Sequence, residues 1–282
     1  MVNYIVTLQC VDVPGIVRAA SAAIVAIDGN ILENDQFTDP VTGQFCMRTR
    51  FETALGDVQS VRSRLEGDLA SFAPKLGVRL EEARRRALVM VSTYEHCLAE
   101  LLYRHEHNEL PLDIAAIVSN HRDCALLAER YEIPFYEIPV TADTKVDAEI
   151  ELRLLLKEFD VDFVVLARYM QVLSPELCSD LSGRIINIHH SFLPGFKGAR
   201  PYHQAYERGV KLIGATAHFV TSDLDEGPII DQDVVRVSHA RLPKDLISLG
   251  RDVERSVLAR AVRLVAEDRV ALVGNRTVIF SQ

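Results

Sequence analysis

The pattern of apolar and polar positions along the chain changes once, near residue 84. Before that point, strand-like runs and amphipathic helical stretches follow in the order strand, helix, strand, strand, helix, strand. Because this order fits into about eighty residues, it predicts a ferredoxin-like βαββαβ unit. After that point, short wholly apolar runs alternate with helical patterns. This alternation predicts an α/β fold with a doubly wound, mostly parallel sheet that is covered on both faces.

The predicted elements also divide the chain into domains. Strands of the second part are expected at 87–91, 113–118, 135–138, 162–166, 184–188, 214–220 and 228–237. A long amphipathic helix and a hairpin follow, at 242–266 and 270–280. The charge run from Glu81 to Arg86 is interpreted as a solvated connector rather than an anion site. We therefore predict a first domain at 1–82, a linker at 83–86 and a second domain at 87–282.

Composition narrows the classes of function. The 282 residues carry a formal net charge of −9, which disfavours nucleic-acid binding because phosphate neutralisation needs clustered Lys and Arg. No apolar run reaches the length of a membrane span, and the amino terminus lacks the features of a signal peptide. The five cysteines are scattered and form no Cys-x-x-Cys pair, which suits a reducing compartment. We predict a cytoplasmic protein that has no nucleic-acid or membrane partner.

Polar side chains at the ends of two predicted strands form the candidate catalytic set. Asn187 and His189 alternate at the end of 184–188, so both should face the same side of the sheet. Asp225 follows the strand at 214–220. Ligands of open α/β sheets bind at the carboxyl ends of strands. An amide, an imidazole and a carboxylate at that edge can polarise a carbonyl group and transfer protons.

The other histidines of the chain are not expected to belong to the catalytic set. His218 lies inside a strand and is either a buried structural residue or a support for the loop that carries Asp225. His190 alternates with His189 and is predicted to face away, and His239 is structural or closes the pocket. Five more histidines are interpreted as surface residues: His96, His105, His107, His121 and His203. No tight i, i+4 pair supports a metal site, so none is predicted.

The turn after the first strand of the second domain lacks glycine. It runs Val91-Ser92-Thr93-Tyr94-Glu95, whereas dinucleotide and phosphate sites need close backbone approach at a glycine-rich turn. Glu95 adds negative charge where an anion would bind. We therefore predict that this turn does not bind a phosphate group.

The start of the first domain resembles a known regulatory module. A strand, the turn Asp12-x-Pro14-Gly15-Ile16-Val17 and a helix are similar to the opening of ACT domains. The resemblance implies an amino-acid effector, with glycine or methionine as candidates, bound between paired copies, and hence a homo-oligomer.

The second domain resembles the formyltransferase fold of enzymes that use 10-formyltetrahydrofolate. The motifs are Asn187-x-His189, the following Ser-x-Leu-Pro loop, and His218-x-Val220 with Asp225-x-Gly-Pro. With an amino-terminal ACT-like domain, the chain is similar to the formyltetrahydrofolate deformylase branch. This implies hydrolysis of 10-formyltetrahydrofolate to formate and tetrahydrofolate, with no cofactor beyond the folate substrate. Asn187 would stabilise the oxyanion, His189 would act as an acid, and Asp225 would act as base or proton relay.

We expect the folate to bind between the loops 169–173 and 220–228, because both are predicted to leave strands at the carboxyl edge of the sheet. From position alone, Tyr169 and Met170 fit either core packing or an apolar slot for a flat ring. The expected contacts lie in two loops and are Tyr169, Met170, Gln171, Leu173, Val220, Leu224 and Gly227.

Two alternatives to the hydrolase remain open. A formyltransferase would need an acceptor pocket lined by Lys197, Arg200 or Arg208. A non-catalytic amino-acid sensor is disfavoured because all three polar site residues are present. Without a phosphate-binding turn for an acceptor, water is the expected formyl acceptor.

Overall fold

The computed structural model describes residues 1–195 and 201–280 of the chain. The chain forms two compact units, one comprising Met1–Arg84 with Glu267–Gln282 and the other comprising Arg85–Ala266. Within the described residues, no helix combines the length and the apolar character that a membrane span requires.

The first unit is built around a four-stranded antiparallel sheet. Its elements are β1 (Val2–Val11), α1 (Ile16–Val25), β2 (Asn30–Asp39), β3 (Gln44–Thr53), α2 (Val58–Leu69), a 3₁₀ turn (Ala70–Phe72) and β4 (Lys75–Leu80). The strand order is β2-β3-β1-β4. An apolar core joins the helices to the sheet, with Tyr4, Ile24 and Leu65 buried in it. The predicted ferredoxin-like order is therefore confirmed.

Gly15 forms the turn between β1 and α1. Its φ of 101° lies in the left-handed region, which glycine adopts without the steric cost that a Cβ imposes. Its carbonyl oxygen accepts from the Ala19 amide at 2.9 Å, the first hydrogen bond of the helix. The Pro-Gly turn thus ends the strand and starts the helix, as the pattern predicts.

The second unit contains a seven-stranded sheet with helices between its strands. Its elements are β5 (Arg85–Val91), α3 (His96–Glu106), β6 (Leu112–Ser119), α4 (Ala125–Arg130), β7 (Phe135–Glu137), α5 (Lys145–Glu158), β8 (Phe163–Leu166), α6 (Pro175–Asp180), β9 (Ile185–His189), α7 (Pro201–Glu207), β10 (Leu212–Phe219), β11 (Ile229–Arg236) and α8 (Pro243–Ala266). The order is β11-β10-β9-β8-β5-β6-β7. The five neighbouring strands from β9 to β7 in this order pair in parallel. β10 is antiparallel to both of its neighbours, β9 and β11. The predicted mostly parallel sheet is confirmed, and the short helix α7 was not predicted.

The antiparallel direction of β10 changes how one loop reaches the site. The register pairs His218 of β10 with Asn187 of β9. The loop after β10 therefore starts beside Ile185, whose carbonyl oxygen accepts from the Val220 amide at 2.9 Å. The expectation that this loop leaves the carboxyl edge of the parallel strands is wrong. Its Asp225 still reaches His189.

The hairpin of β12 (Val270–Val273) and β13 (Arg276–Ile279) belongs to the first unit. Val273 and Phe280 form an apolar cluster with Cys46 of β3. The Arg48 side chain, which is only 2% exposed, donates from Nε to the Glu267 carbonyl oxygen at 3.0 Å. The prediction of one domain over 87–282 thus differs from the structure. Strand pairing within a hairpin is local, whereas Cys46, which packs against the apolar face of this hairpin, lies near the other end of the sequence.

Candidate active site

A cavity of about 670 Å³ lies in the second unit. It is lined by the segment 168–173 after β8, the end of β9, the segment 220–225 after β10, and residues of α3, α7 and α8. Cavities of this size commonly bind small organic molecules.

His189 and Asp225 form a buried pair on the cavity wall. His189 Nδ1 lies 3.1 Å from Asp225 Oδ1. The His189 side chain is only 6% exposed, and within the described part of the chain its Nε2 has no hydrogen-bond partner. A carboxylate that accepts from one ring nitrogen fixes the orientation of the imidazole. The second nitrogen of His189 is therefore available for a ligand in the cavity.

His218 connects Asn187 to the same pair. Its Nδ1 lies 2.8 Å from the Phe219 carbonyl oxygen, which can only accept, so Nδ1 carries a proton. Its Nε2 lies 3.2 Å from Asn187 Nδ2 and 3.7 Å from Asp225 Oδ1. In the neutral ring, Nε2 accepts a hydrogen bond from the Asn187 amide. His218 is thus a buried, satisfied imidazole that orients Asn187, and its ring also lies beside Asp225.

Asp225 is held as a carboxylate. The hydrogen bond from His189, together with the neighbouring ring of His218, keeps the pKa of Asp225 well below its usual range, although burial acts in the opposite direction. The residue also adopts a φ of 58°, which is uncommon outside glycine and occurs where the surrounding structure fixes the backbone. The site therefore carries a negative charge beside His189.

Six of the seven predicted folate contacts line the cavity. They are Tyr169, Met170, Gln171, Leu173, Val220 and Leu224. Gly227 is not on the wall. A Cβ at Gly227 would lie 1.7 Å from the Phe219 carbonyl oxygen, so this glycine permits close packing of the loop against β10.

Two histidines, His190 and His96, lie elsewhere than the sequence predicts, whereas His203 is exposed as predicted. His190 lines the same cavity as His189, and the two ring centroids are 5.0 Å apart. The alternation fails there because β9 ends at His189. Burial, followed by the charge of Arg168, lowers the pKa of His190 to about 4. His96 and His203 also line the cavity, whereas His239 is exposed and does not.

A buried polar cluster next to this set was not predicted. Glu254 of α8 is 1% exposed and has Oε1 2.6 Å from Tyr202 Oη and Oε2 2.7 Å from His96 Nε2. Arg168 Nε lies 3.6 Å from Glu254 Oε2. Burial acts to raise the pKa of Glu254, but the His96 hydrogen bond and the Arg168 charge outweigh it and the pKa is lowered. The only sequence signal for Glu254 was its position as a charged residue on the apolar side of an amphipathic helix.

The same cluster contains one grouping of metal-ligand atoms. Among the described residues, one candidate ligand atom each of His96, Cys97 and Glu254 lies within 4.8 Å of the other two. Burial raises the pKa of the Cys97 thiol, so the sulfur stays protonated. The guanidinium of Arg168 already balances the charge of Glu254. The chemistry of this grouping does not favour a metal ion.

Three basic residues were named as the lining of the acceptor pocket that the alternative, a formyltransferase, would need. Lys197 and Arg200 lie outside the described residues, and Arg208 is exposed and is not on the cavity wall. Where a glycine-rich turn would hold phosphate, the Tyr94 side chain instead lines the cavity.

Comparisons with known proteins identify the family of the chain. The family model described as "Formyl transferase" matches residues 85–262. A formyltetrahydrofolate deformylase of Corynebacterium sp. (strain P-1) is 47% identical over 99% of this chain and 98% of its own length. The chain belongs to the formyltetrahydrofolate deformylase family. This confirms the resemblance drawn from the Asn187, His189 and Asp225 motifs.

Solved structures support the same family over different shares of the chain. The crystal structure of a formyltetrahydrofolate deformylase from Burkholderia mallei is 47% identical and superposes with a TM-score of 0.96, covering 100% of both chains. A glycinamide ribonucleotide transformylase from Symbiobacterium toebii is 30% identical with a TM-score of 0.67, and covers 72% of this chain and 97% of its own. The deformylase family therefore matches the chain throughout, whereas the transformylase matches only part of it.

Proposed function

We propose that Asn187, His189 and Asp225 carry out the hydrolysis of 10-formyltetrahydrofolate to formate and tetrahydrofolate. The protein is a hydrolase of the deformylase family, since relatives of that activity match the chain over almost its whole length. The observation that carries the assignment of residues is the His189–Asp225 pair, which lines the cavity and leaves His189 Nε2 without a partner among residues 1–195 and 201–280.

The reaction follows from the chemistry of these groups. Water adds to the formyl carbon, and the carbonyl oxygen becomes an oxyanion that the Asn187 amide stabilises; one such donor contributes roughly 3–4 kcal/mol in comparable sites. His189 Nε2 donates a proton to N10 of the folate, and the bond between N10 and the formyl carbon breaks. Asp225 stabilises the imidazolium and accepts the proton of the attacking water, directly or through His189. The products are tetrahydrofolate and formate.

The folate is proposed to bind between the loops 169–173 and 220–228. Apolar side chains of both loops line the cavity, among them Leu173 and Val220. Burial raises the pKa of Tyr169 to about 12, so its hydroxyl remains a neutral donor. A flat pterin ring fits an apolar slot with a few polar groups at its edge.

The first unit is proposed to act as a regulatory ACT-like domain. Its sheet order and the Asp12-x-Pro14-Gly15 turn support paired copies that bind glycine or methionine, and hence a homo-oligomer. We also propose that catalysis needs no cofactor besides the folate substrate and takes place in the cytoplasm.

One assay tests the function directly. Full-length protein is incubated with 10-formyltetrahydrofolate in buffer without amines, and tetrahydrofolate and formate are measured separately. Equal amounts of both products are expected. Turnover that begins only after an amine is added would instead identify a formyltransferase.

A further inference from the structure

Arg168 places a buried guanidinium group on the cavity wall. The residue follows β8 directly and has a φ of 66°. Its side chain is 10% exposed, and the guanidinium carbon lies 5.5 Å from the centre of the Tyr94 ring. Nε and Nη1 of Arg168 are shielded from solvent, and neither has a hydrogen-bond partner among residues 1–195 and 201–280. A buried donor without a partner is costly, so this group requires an explanation.

Glu254 balances the charge of Arg168 without satisfying its donors. Glu254 Oε1 already accepts from Tyr202 Oη, and Oε2 is bound to His96 Nε2. The 3.6 Å between Arg168 Nε and Oε2 is an ion pair at longer range than a hydrogen bond. Because a guanidinium has five N–H donors, Arg168 retains capacity for another acceptor.

The position of Arg168 connects it to the reactive groups. The His189 ring centroid lies 5.0 Å from that of His190, which lies 6.4 Å from that of Tyr202. Tyr202 in turn donates to Glu254, the partner of Arg168. The positive charge of Arg168 also acts on this wall of the cavity, because it contributes to the lowered pKa of His190.

We infer that Arg168 binds a carboxylate in this cavity, and that the carboxylate is the formate produced there. The inference rests on the proposed function, because hydrolysis of a formyl group generates this anion beside His189. A guanidinium is the side chain best suited to a planar carboxylate. The α-carboxylate of the folate glutamate has the same chemistry. Formate is favoured because it is released from the formyl carbon inside the cavity that both His189 and Arg168 line.

Binding of [¹³C]formate to the full-length protein, followed by NMR titration without folate, tests the inference independently of turnover. In Arg168→Met, the formate dissociation constant is expected to rise at least about tenfold, since hydrogen bonds to charged groups are among the strong ones. Arg168→Lys keeps the charge beside Glu254 but loses the planar fork. It is expected to bind formate with intermediate affinity, and it serves if Arg168→Met fails to fold.

Arg251 provides the matched control. Its guanidinium carbon lies 5.4 Å from the same Tyr94 ring, yet the residue is exposed. Arg251→Met should therefore leave the formate affinity within about twofold of that of the unaltered protein, because only a desolvated charge contributes strongly. If Arg251→Met and Arg168→Met lowered the formate affinity equally, the effect would come from the positive charge of the cavity in general. That result would overturn a specific site at Arg168.

A second comparison separates the two sources of the carboxylate. Michaelis constants are measured for 10-formyltetrahydrofolate and for the same compound without its glutamate. If Arg168→Met raises only the constant of the glutamate-containing substrate and leaves formate binding intact, the formate assignment is wrong. Unchanged values for both ligands would overturn carboxylate binding altogether. Formate binding in a protein that releases no formate would contradict the proposed function and leave the site standing.

Discussion

His189 is hydrogen-bonded to Asp225 through one ring nitrogen only. Nδ1 lies 3.1 Å from Asp225 Oδ1, while Nε2 is buried and has no partner within the part of the chain that the structure describes. A general acid needs such a held ring with a free nitrogen toward its substrate. His189→Ala should therefore lower kcat/KM by about 10²-fold or more, with a smaller effect on the free energy of unfolding. Steady-state kinetics at several pH values and urea unfolding measure the two effects. Near-normal turnover at every pH would contradict the mechanism.

Asn187→Ala should lower kcat by about 10²-fold, because the amide is assigned to the oxyanion that forms only in the transition state. The Michaelis constant should change much less. His218→Gln is the informative companion variant, since His218 Nε2 accepts from Asn187 Nδ2 at 3.2 Å. If His218 acts by orienting Asn187, its replacement should reduce kcat less than Asn187→Ala, and the double variant should resemble Asn187→Ala alone.

The free energy of unfolding should depend on pH through Asp225. The hydrogen bond with His189, together with the neighbouring ring of His218, lowers the folded-state pKa of Asp225. The unfolded value is about 3.9. A carboxylate with a lowered pKa contributes stability that is fully present above the unfolded pKa and is lost as the pH falls toward the folded pKa. The difference in stability between the unaltered protein and Asp225→Asn should therefore shrink below about pH 4. Urea unfolding at a series of pH values between about 6 and 3 measures it. A difference that grows on acidification would refute the assignment.

Gly227→Ala should destabilise the second unit by about 2–3 kcal/mol or more, because the new Cβ would lie 1.7 Å from the Phe219 carbonyl oxygen. Gly67→Ala in α2 is the matched control. Nothing lies within 4 Å of a Cβ at Gly67, and alanine favours a helix over glycine by roughly 1 kcal/mol. The control should be neutral or stabilising in thermal unfolding.

The amino-acid response of the proposed regulatory domain should depend on Gly15. Gly15 has a φ of 101°, which valine does not readily adopt. Gly15→Val should therefore change the conformation of the β1–α1 turn, although no atom lies within 4 Å of the new Cβ. Titration of turnover with glycine and with methionine should show a response in the unaltered chain and in the control Gly56→Val, and none in Gly15→Val. A response that survives in Gly15→Val would place the effector elsewhere.

The sequence predicted local features well and distant relationships less well. The alternation that ends at His189 and the glycine-free turn before Tyr94 are set by neighbouring residues, and both could be interpreted directly. Asn187 and His218 come together through the register of β9 and β10, which no local pattern contains. Glu254 contacts His96 across 158 positions of sequence. Such pairs depend on how helices and strands pack together. The periodicity within one element does not predict which other element it contacts.

The hairpin of β12 and β13 makes the first unit discontinuous in sequence, with the second unit inserted between its two parts. On the ribosome, chains emerge from the amino terminus and their domains generally fold as they are made. The apolar face around Cys46 and the buried Arg48 are covered only once Val273 and Glu267, which follow much later in the sequence, have been synthesised. The second unit can therefore be complete before the first, although the first begins to emerge earlier. A truncation after Ala266 would remove the covering of a sheet made at the other end of the chain.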